Sequence, residues 1–165
     1  MAALREGFEA TFREDGLDEA AAREALGAFD AVLCTLGDAF TAEAFAGAGR
    51  ARLLANFGVG VNHIDLGAAR AAGIAVTNTP GAVTDATADV AIMLLLMAAR
   101  RAGEGERVVR AGRWTGWEPT QLLGRHVTGM TVGIVGFGRI GQAVARRAHL
   151  GFGMRVLYAA RSPKR

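Results

Sequence analysis

The sequence predicts an α/β protein made of two parallel-sheet units in succession, and three observations predict it. Short apolar runs alternate with helical spacings from Ala31 onward, the order that builds a parallel sheet covered on both faces. Asn78-Thr79-Pro80-Gly81 breaks the chain near its middle. Beyond it, Thr131 to Val135 runs straight into Gly136-Phe137-Gly138-Arg139-Ile140-Gly141, a G-x-G-x-x-G that helical spacing and a second apolar run follow.

Composition bounds the possibilities. Of 165 residues, 51% are apolar, enough for a core, although much of that share is alanine, which buries little area. The net charge of +3 comes from scattered arginines, with no Lys/Arg tract or interleaved aromatics to suggest a nucleic-acid surface. A single cysteine, Cys34 in the apolar run AVLCTL, rules out an internal disulfide and reads as core rather than nucleophile. Met1 to Glu6 lacks the apolar stretch of a signal peptide, and Val90 to Ala99 is too short to cross a bilayer, so a cytoplasmic protein is expected.

In order, Phe8 to Phe12 reads as a short strand, and Asp18 caps an Ala-rich helix. Ala31 to Leu36 is a buried strand by its apolar continuity, and Thr41 caps a short helix containing Glu43 and Phe45. Arg52 to Phe57 is a strand leading into Gly58-Val59-Gly60, Asp65 caps a helix that Gly73 ends, and Ile74 to Thr77 is a strand. Thr84 and Asp85 start a long helix through Arg101, apolar on every face over Val90 to Ala99 and therefore expected between layers. Arg107 to Gly112 reads as a shorter helix, with Trp114, Trp117 and Pro119 in a following loop, the tryptophans as packing anchors. Thr131 to Val135 is a buried strand, Gln142 to Ala148 a helix, and Met154 to Ala160 the next strand.

The glycine motif carries the most specific chemistry. Gly136 permits a tight turn, Gly138 lets backbone approach a pyrophosphate, and Gly141 lets helix and strand pack closely. Free N–H groups at the helix start then attract phosphates. The alternative, three glycines punctuating a loop in a chain with 23 of them, is outweighed by the strand and helix on either side. The second strand ends in Ala160-Arg161-Ser162-Pro163-Lys164-Arg165 with no carboxylate. A carboxylate there would bind ribose hydroxyls and a guanidinium would hold a 2′-phosphate, so NADPH is favoured over NADH, against the alternative of an ordinary basic tail.

Three motifs in order resemble the D-isomer-specific 2-hydroxyacid dehydrogenases, and within them the glyoxylate/hydroxypyruvate reductase (glycerate dehydrogenase) branch. They are NFGVGVNHIDLGAARAAGIAVTNTPGAVTDATAD at 56–89, GRW…W…P at 112–119 and GIVGFGRIGQAVARRA at 133–148. The resemblance implies a flavodoxin-like substrate domain over 1–80 that lacks its first strand. It implies next, over 81–165, the start of a Rossmann NAD(P)-binding domain cut after its second strand. It also implies that Gly58, Val59 and Gly60 hold the substrate carboxylate, a role that glycines flanking a valine suit because adjacent amides can converge on an anion, although a tight strand-to-helix turn would need them equally. Thr87, Phe137 to Ile140, and Ala160 to Ser162 match cofactor contacts. Asn62 stands where many members have Asp, and Ala148 to Gly153 is slightly longer than the common spacing, which could shift Arg161 by a residue.

The family's catalytic Arg, Glu and His match nothing here; His63, His126 and His149 sit in the wrong motifs and read as structural or surface residues. The chain is therefore expected to be an amino-terminal portion, inactive alone, of an NADPH-dependent 2-keto acid reductase that dimerises through its cofactor domain. Alternatives are a non-catalytic nucleotide-binding or subunit-pairing module, another family member such as phosphoglycerate dehydrogenase, and a degenerate product that does not fold.

Overall fold

The computed structural model describes residues 2–163; Met1, and the Lys164 and Arg165 of the basic cluster, lie outside the described residues. The chain divides into two compact units, Met1–Pro80 and Gly81–Arg165.

In the first unit, helix α1 (Ala2–Gly7) occupies the start, and the stretch expected as a strand, Phe8 to Phe12, is irregular. Its aromatics pair with no neighbouring strand; Phe12 instead lies under the Arg5 guanidinium, 4.9 Å from the ring centre. Helix α2 (Glu19–Ala28) begins as its sequence dictates, with the Asp18 carboxylate accepting from the Ala21 N–H at 2.8 Å. Strands β1 (Ala31–Cys34), β2 (Leu53–Asn56) and β3 (Ala75–Thr77) form a parallel sheet in the order β1-β2-β3. Helix α3 (Leu66–Ala71), capped by Asp65, links the last two.

Strand β1 stops at Cys34 rather than Leu36 because Asp38 closes a turn there, accepting from the Thr35 N–H at 2.6 Å. It is also buried on one face only: Val32 and Cys34 point inward with Leu54 of β2, while Leu33 is exposed. Leu26, Phe40, Phe45, Ile64 and Ile74 complete that core. The expected second covering layer is absent among the described residues of this unit. Nor does Thr41 cap a helix. Residues 42–47 are consecutive turns whose amides reach back three residues (Ala44 to Thr41, Ala46 to Glu43), and the Thr41 hydroxyl donates to the Glu19 carboxylate.

In the second unit, α4 (Thr84–Ala99) ends where Arg101 adopts φ 56, a left-handed break that starts α5 (Ala102–Arg110) five residues before the expected Arg107. Strands β4 (Thr131–Val135) and β5 (Arg155–Ala159) form a parallel pair, joined by α6 (Arg139–Arg146) and a π-helical turn over Arg147–Gly151. Arg147 ties that turn to α4, donating to Asp89 at 2.6 Å and Asp85 at 3.0 Å. Three burial expectations fail here for one reason: nothing among the described residues covers these surfaces. Val135 is 93% exposed, so β4 is not a buried strand. Val90, Met93, Leu94 and Met97 leave α4 apolar but open. Trp114 and Trp117 are exposed, the latter by 80%, so neither anchors packing.

Candidate functional site

The loop Gly58-Val59-Gly60 follows β2 directly, and its geometry is set from below. Asn56 is the last residue of β2 and lies on the strand's inward face, 2% exposed. Its Nδ2 donates to the carbonyl of Gly58 at 3.1 Å and to that of Gly60 at 2.8 Å. Asn78, just past β3, donates from Nδ2 to the carbonyl of Val59 at 2.9 Å, and the Thr79 N–H adds a second bond to Gly58 at 3.0 Å. All three loop carbonyls are thus drawn back. Among the described residues no acceptor takes the N–H groups of Val59 and Gly60, and both residues are exposed. Unpaired amides on successive exposed residues are donors that an anion can take up.

Behind Asn56 lies Cys34, which pairs with it across the β1–β2 register and is 0% exposed. The Cys34 Sγ donates to Asn56 Oδ1 at 3.8 Å. Burial, and secondarily the Asp38 charge, push the thiol up to about 11, so at neutral pH it is a protonated donor. This agrees with its sequence reading as core.

The second unit holds the glycine-rich turn. Gly136 has φ +93, which a side chain would strain, and its N–H donates to Ala159 of β5 at 2.9 Å. A Cβ on Gly141 would lie 2.2 Å from the Gly136 carbonyl oxygen, so the first turn of α6 packs onto the strand end only with glycine there. A Cβ on Gly138, in contrast, would meet nothing within 4 Å. The outer face of the turn is therefore open, and the amides of Arg139, Ile140 and Gly141 precede the first intrahelical bond, Gln142 N–H to the Gly138 carbonyl at 2.9 Å. A pyrophosphate fits that open face. Gln142 Nε2 donates to the Phe137 carbonyl at 3.1 Å, and the Phe137 ring stacks on Tyr158 of β5 at 4.2 Å and 17°. Ala160, Arg161 and Ser162 follow β5, all exposed; Arg161 makes no ion pair among the described residues. Thr87 is exposed in the first turn of α4.

The structure brings Gly136 to Gly141 together with the end of β5, as the strand–turn–helix reading requires. Sequence reasoning missed Asn56, Asn78, Gln142 and Tyr158. The two asparagines were visible inside the motif at 56–89, each at a strand end beside the glycine loop, where a carboxamide can reach main-chain carbonyls.

Comparison with known proteins gives the same picture. Residues 92–165 match the family model described as "D-isomer specific 2-hydroxyacid dehydrogenase, NAD binding domain". Glyoxylate reductase of Thermococcus onnurineus is 46% identical over 98% of this chain and 50% of its own length. The chain's matches are to the D-isomer-specific 2-hydroxyacid dehydrogenases, each over about half of the relative or less. Glycerate dehydrogenase of Hyphomicrobium methylovorum, another relative, is 50% identical over 65% of this chain and 33% of its own length. A structure from Polaromonas sp. JS6 66, described as a D-isomer specific 2-hydroxyacid dehydrogenase, superposes with a TM-score of 0.91 at 39% identity, covering 99% of this chain and 52% of that one. The parallel-sheet α/β fold is thus that of solved dehydrogenases, and a nicotinamide dinucleotide is the family's cofactor. The chain spans about half the length of the relatives it matches. Among the described residues, no helix is long and apolar enough to cross a membrane.

Proposed function

We propose that residues 1–80 supply the carboxylate-binding unit, and residues 81–165 the first part of the NAD(P)-binding unit, of an NADPH-dependent reductase that turns glyoxylate or hydroxypyruvate into the D-2-hydroxy acid. One observation carries the reading: three loop carbonyls tied back at Gly58, Val59 and Gly60 leave the amides of Val59 and Gly60 without acceptors. A 2-keto acid presents a carboxylate to such a site, and two adjacent N–H donors can bind and orient it. The names of the relatives favour glyoxylate and hydroxypyruvate over other 2-keto acids. When bound, the reduced nicotinamide supplies the hydride.

On the dinucleotide side, the first-turn amides of α6 take the pyrophosphate, with Phe137 to Gly141 lining it and Thr87 close to the cofactor. Ala160, Arg161 and Ser162 receive the adenine ribose, where the Arg161 guanidinium fits a 2′-phosphate that a carboxylate would repel. Proton transfer is not assigned to any histidine here. His149 Nδ1 is engaged with the Met154 carbonyl at 3.0 Å, and His63 Nε2 is shut off from solvent with no partner among the described residues. These residues alone are expected to bind without turnover. The apolar face of α4, with Val90, Met93, Leu94 and Met97 open, supports pairing with a second copy.

Titration calorimetry with NADPH and NADH, alongside an absorbance assay for NADPH oxidation by glyoxylate, tests the proposal. The expected result is saturable NADPH binding, tighter than NADH by about tenfold or more, with no oxidation by residues 1–165 alone. Absence of nucleotide binding overturns the reading. Oxidation by these residues alone overturns the assignment of proton transfer elsewhere.

A further inference from the structure

We propose that Asn56 is a positioning residue for the substrate carboxylate, and that the Cys34 thiol sets the orientation of its amide. The inference rests on the reading of Gly58 to Gly60 as a carboxylate loop.

Cys34 and Asn56 face each other in the parallel register of β1 and β2, with both side chains in the core at 0% and 2% exposure. A primary amide has two donor hydrogens and one acceptor oxygen. Both hydrogens of Asn56 are committed to the loop, one to the Gly58 carbonyl and one to the Gly60 carbonyl, on either side of Val59. The oxygen has one partner among the described residues, the Cys34 thiol at 3.8 Å.

Reversing the amide would set its oxygen against two carbonyl oxygens and its NH₂ against a thiol that donates. Each end therefore enforces the other, and a polar chain runs from the buried Cys34 and Asn56 out to the loop carbonyls and the free amides. Because the Cys34–Asn56 contact is buried, water cannot take the place of the thiol there. The loop's capacity to present donors outward is then fixed inside the first unit, by residues that never touch substrate. A merely structural asparagine would hold the strand end without concern for which main-chain atoms face out.

The test is calorimetric binding of oxamate, a 2-keto acid analogue that resists reduction, to the protein with NADPH present, with NADPH affinity measured separately on each variant. Asn56→Ala is expected to weaken oxamate by about tenfold or more while NADPH affinity stays unchanged. Cys34→Ala is expected to weaken it by about threefold, and Cys34→Ser, which restores a donor, to recover most of that loss. The Cys34 pair carries the test should Asn56→Ala fail to fold, because both of its members preserve the strand and differ in the donor. Equal oxamate affinity in wild type, Asn56→Ala and Cys34→Ala would overturn the proposal. So would a Cys34→Ser variant no better than Cys34→Ala. If the wild type binds NADPH but not oxamate, the carboxylate-loop reading itself fails, a result distinct from either.

Discussion

Cys34 and Arg161 show how far a single side chain's surroundings determine its chemistry. The Cys34 thiol, buried under Asn56, has its pKa raised to about 11 from the ordinary 9.0, desolvation being the larger cause. A raised thiol pKa means the folded chain holds its proton more tightly than the unfolded one, so the contribution to stability is intact below about pH 9 and falls as pH rises toward 11. Two outcomes follow. Iodoacetamide should label Cys34 at neutral pH only as fast as the chain opens, and urea midpoints of wild type should drop between those pH values more than those of Cys34→Ser. Labelling at the rate of a free thiol in the folded protein would contradict this. Arg161 is exposed and unpaired among the described residues, so its role can be separated from stability. Arg161→Glu should leave the melting temperature within experimental error while reversing the preference for NADPH over NADH, because the new carboxylate repels a 2′-phosphate and can accept from ribose hydroxyls. An unchanged ratio of the two affinities would remove Arg161 from the site.

At the scale of elements, the turn between β4 and α6 depends on close approach. A methyl group at Gly141 has no space beside the Gly136 carbonyl, and backbone cannot yield as a side-chain tip can. Gly141→Ala should therefore cost about 2 kcal/mol or more of unfolding free energy and abolish nucleotide binding, read from urea denaturation and calorimetry. The same element shows what sequence could and could not reveal. Helices α2 and α3 were legible because Asp18 and Asp65 cap them locally, and the turn at Gly136 because its glycines serve a local geometry. A π-helical turn at Arg147–Gly151 follows α6, and β5 pairs with β4 from Thr131↔Arg155 to Val135↔Ala159. Thr41 and Phe8 to Phe12 misled because a hydroxyl or a pair of aromatics is compatible with several local structures, and distant partners, Glu19 and Arg5, decided between them. Asn56 stood in view at its strand end, but its bonds did not, for a related reason: such a residue looks ordinary until the fold curls the next four residues over it.

For the whole molecule, hydrophobic pattern reported how apolar α4 is but not what lies against it. Leu94, 55% exposed, and its neighbours Val90, Met93 and Met97 remain open in the chain described here, which spans about half the length of its relatives. Pairing with a second copy would bury that face. Sedimentation should then find a dimer, and Leu94→Glu should shift it to monomer without changing NADPH affinity; a monomer at all concentrations would contradict pairing.

The central claim, that two amide-lined surfaces of this chain receive a carboxylate and a dinucleotide, is tested most directly by amide chemical shifts. Nitrogen-15-labelled protein would be titrated with oxamate and, separately, with NADPH. The account predicts saturable shifts centred on Val59 and Gly60 for oxamate, and on Gly138 to Gly141 for NADPH. Shifts that fail to saturate, or that centre on other residues, would contradict it.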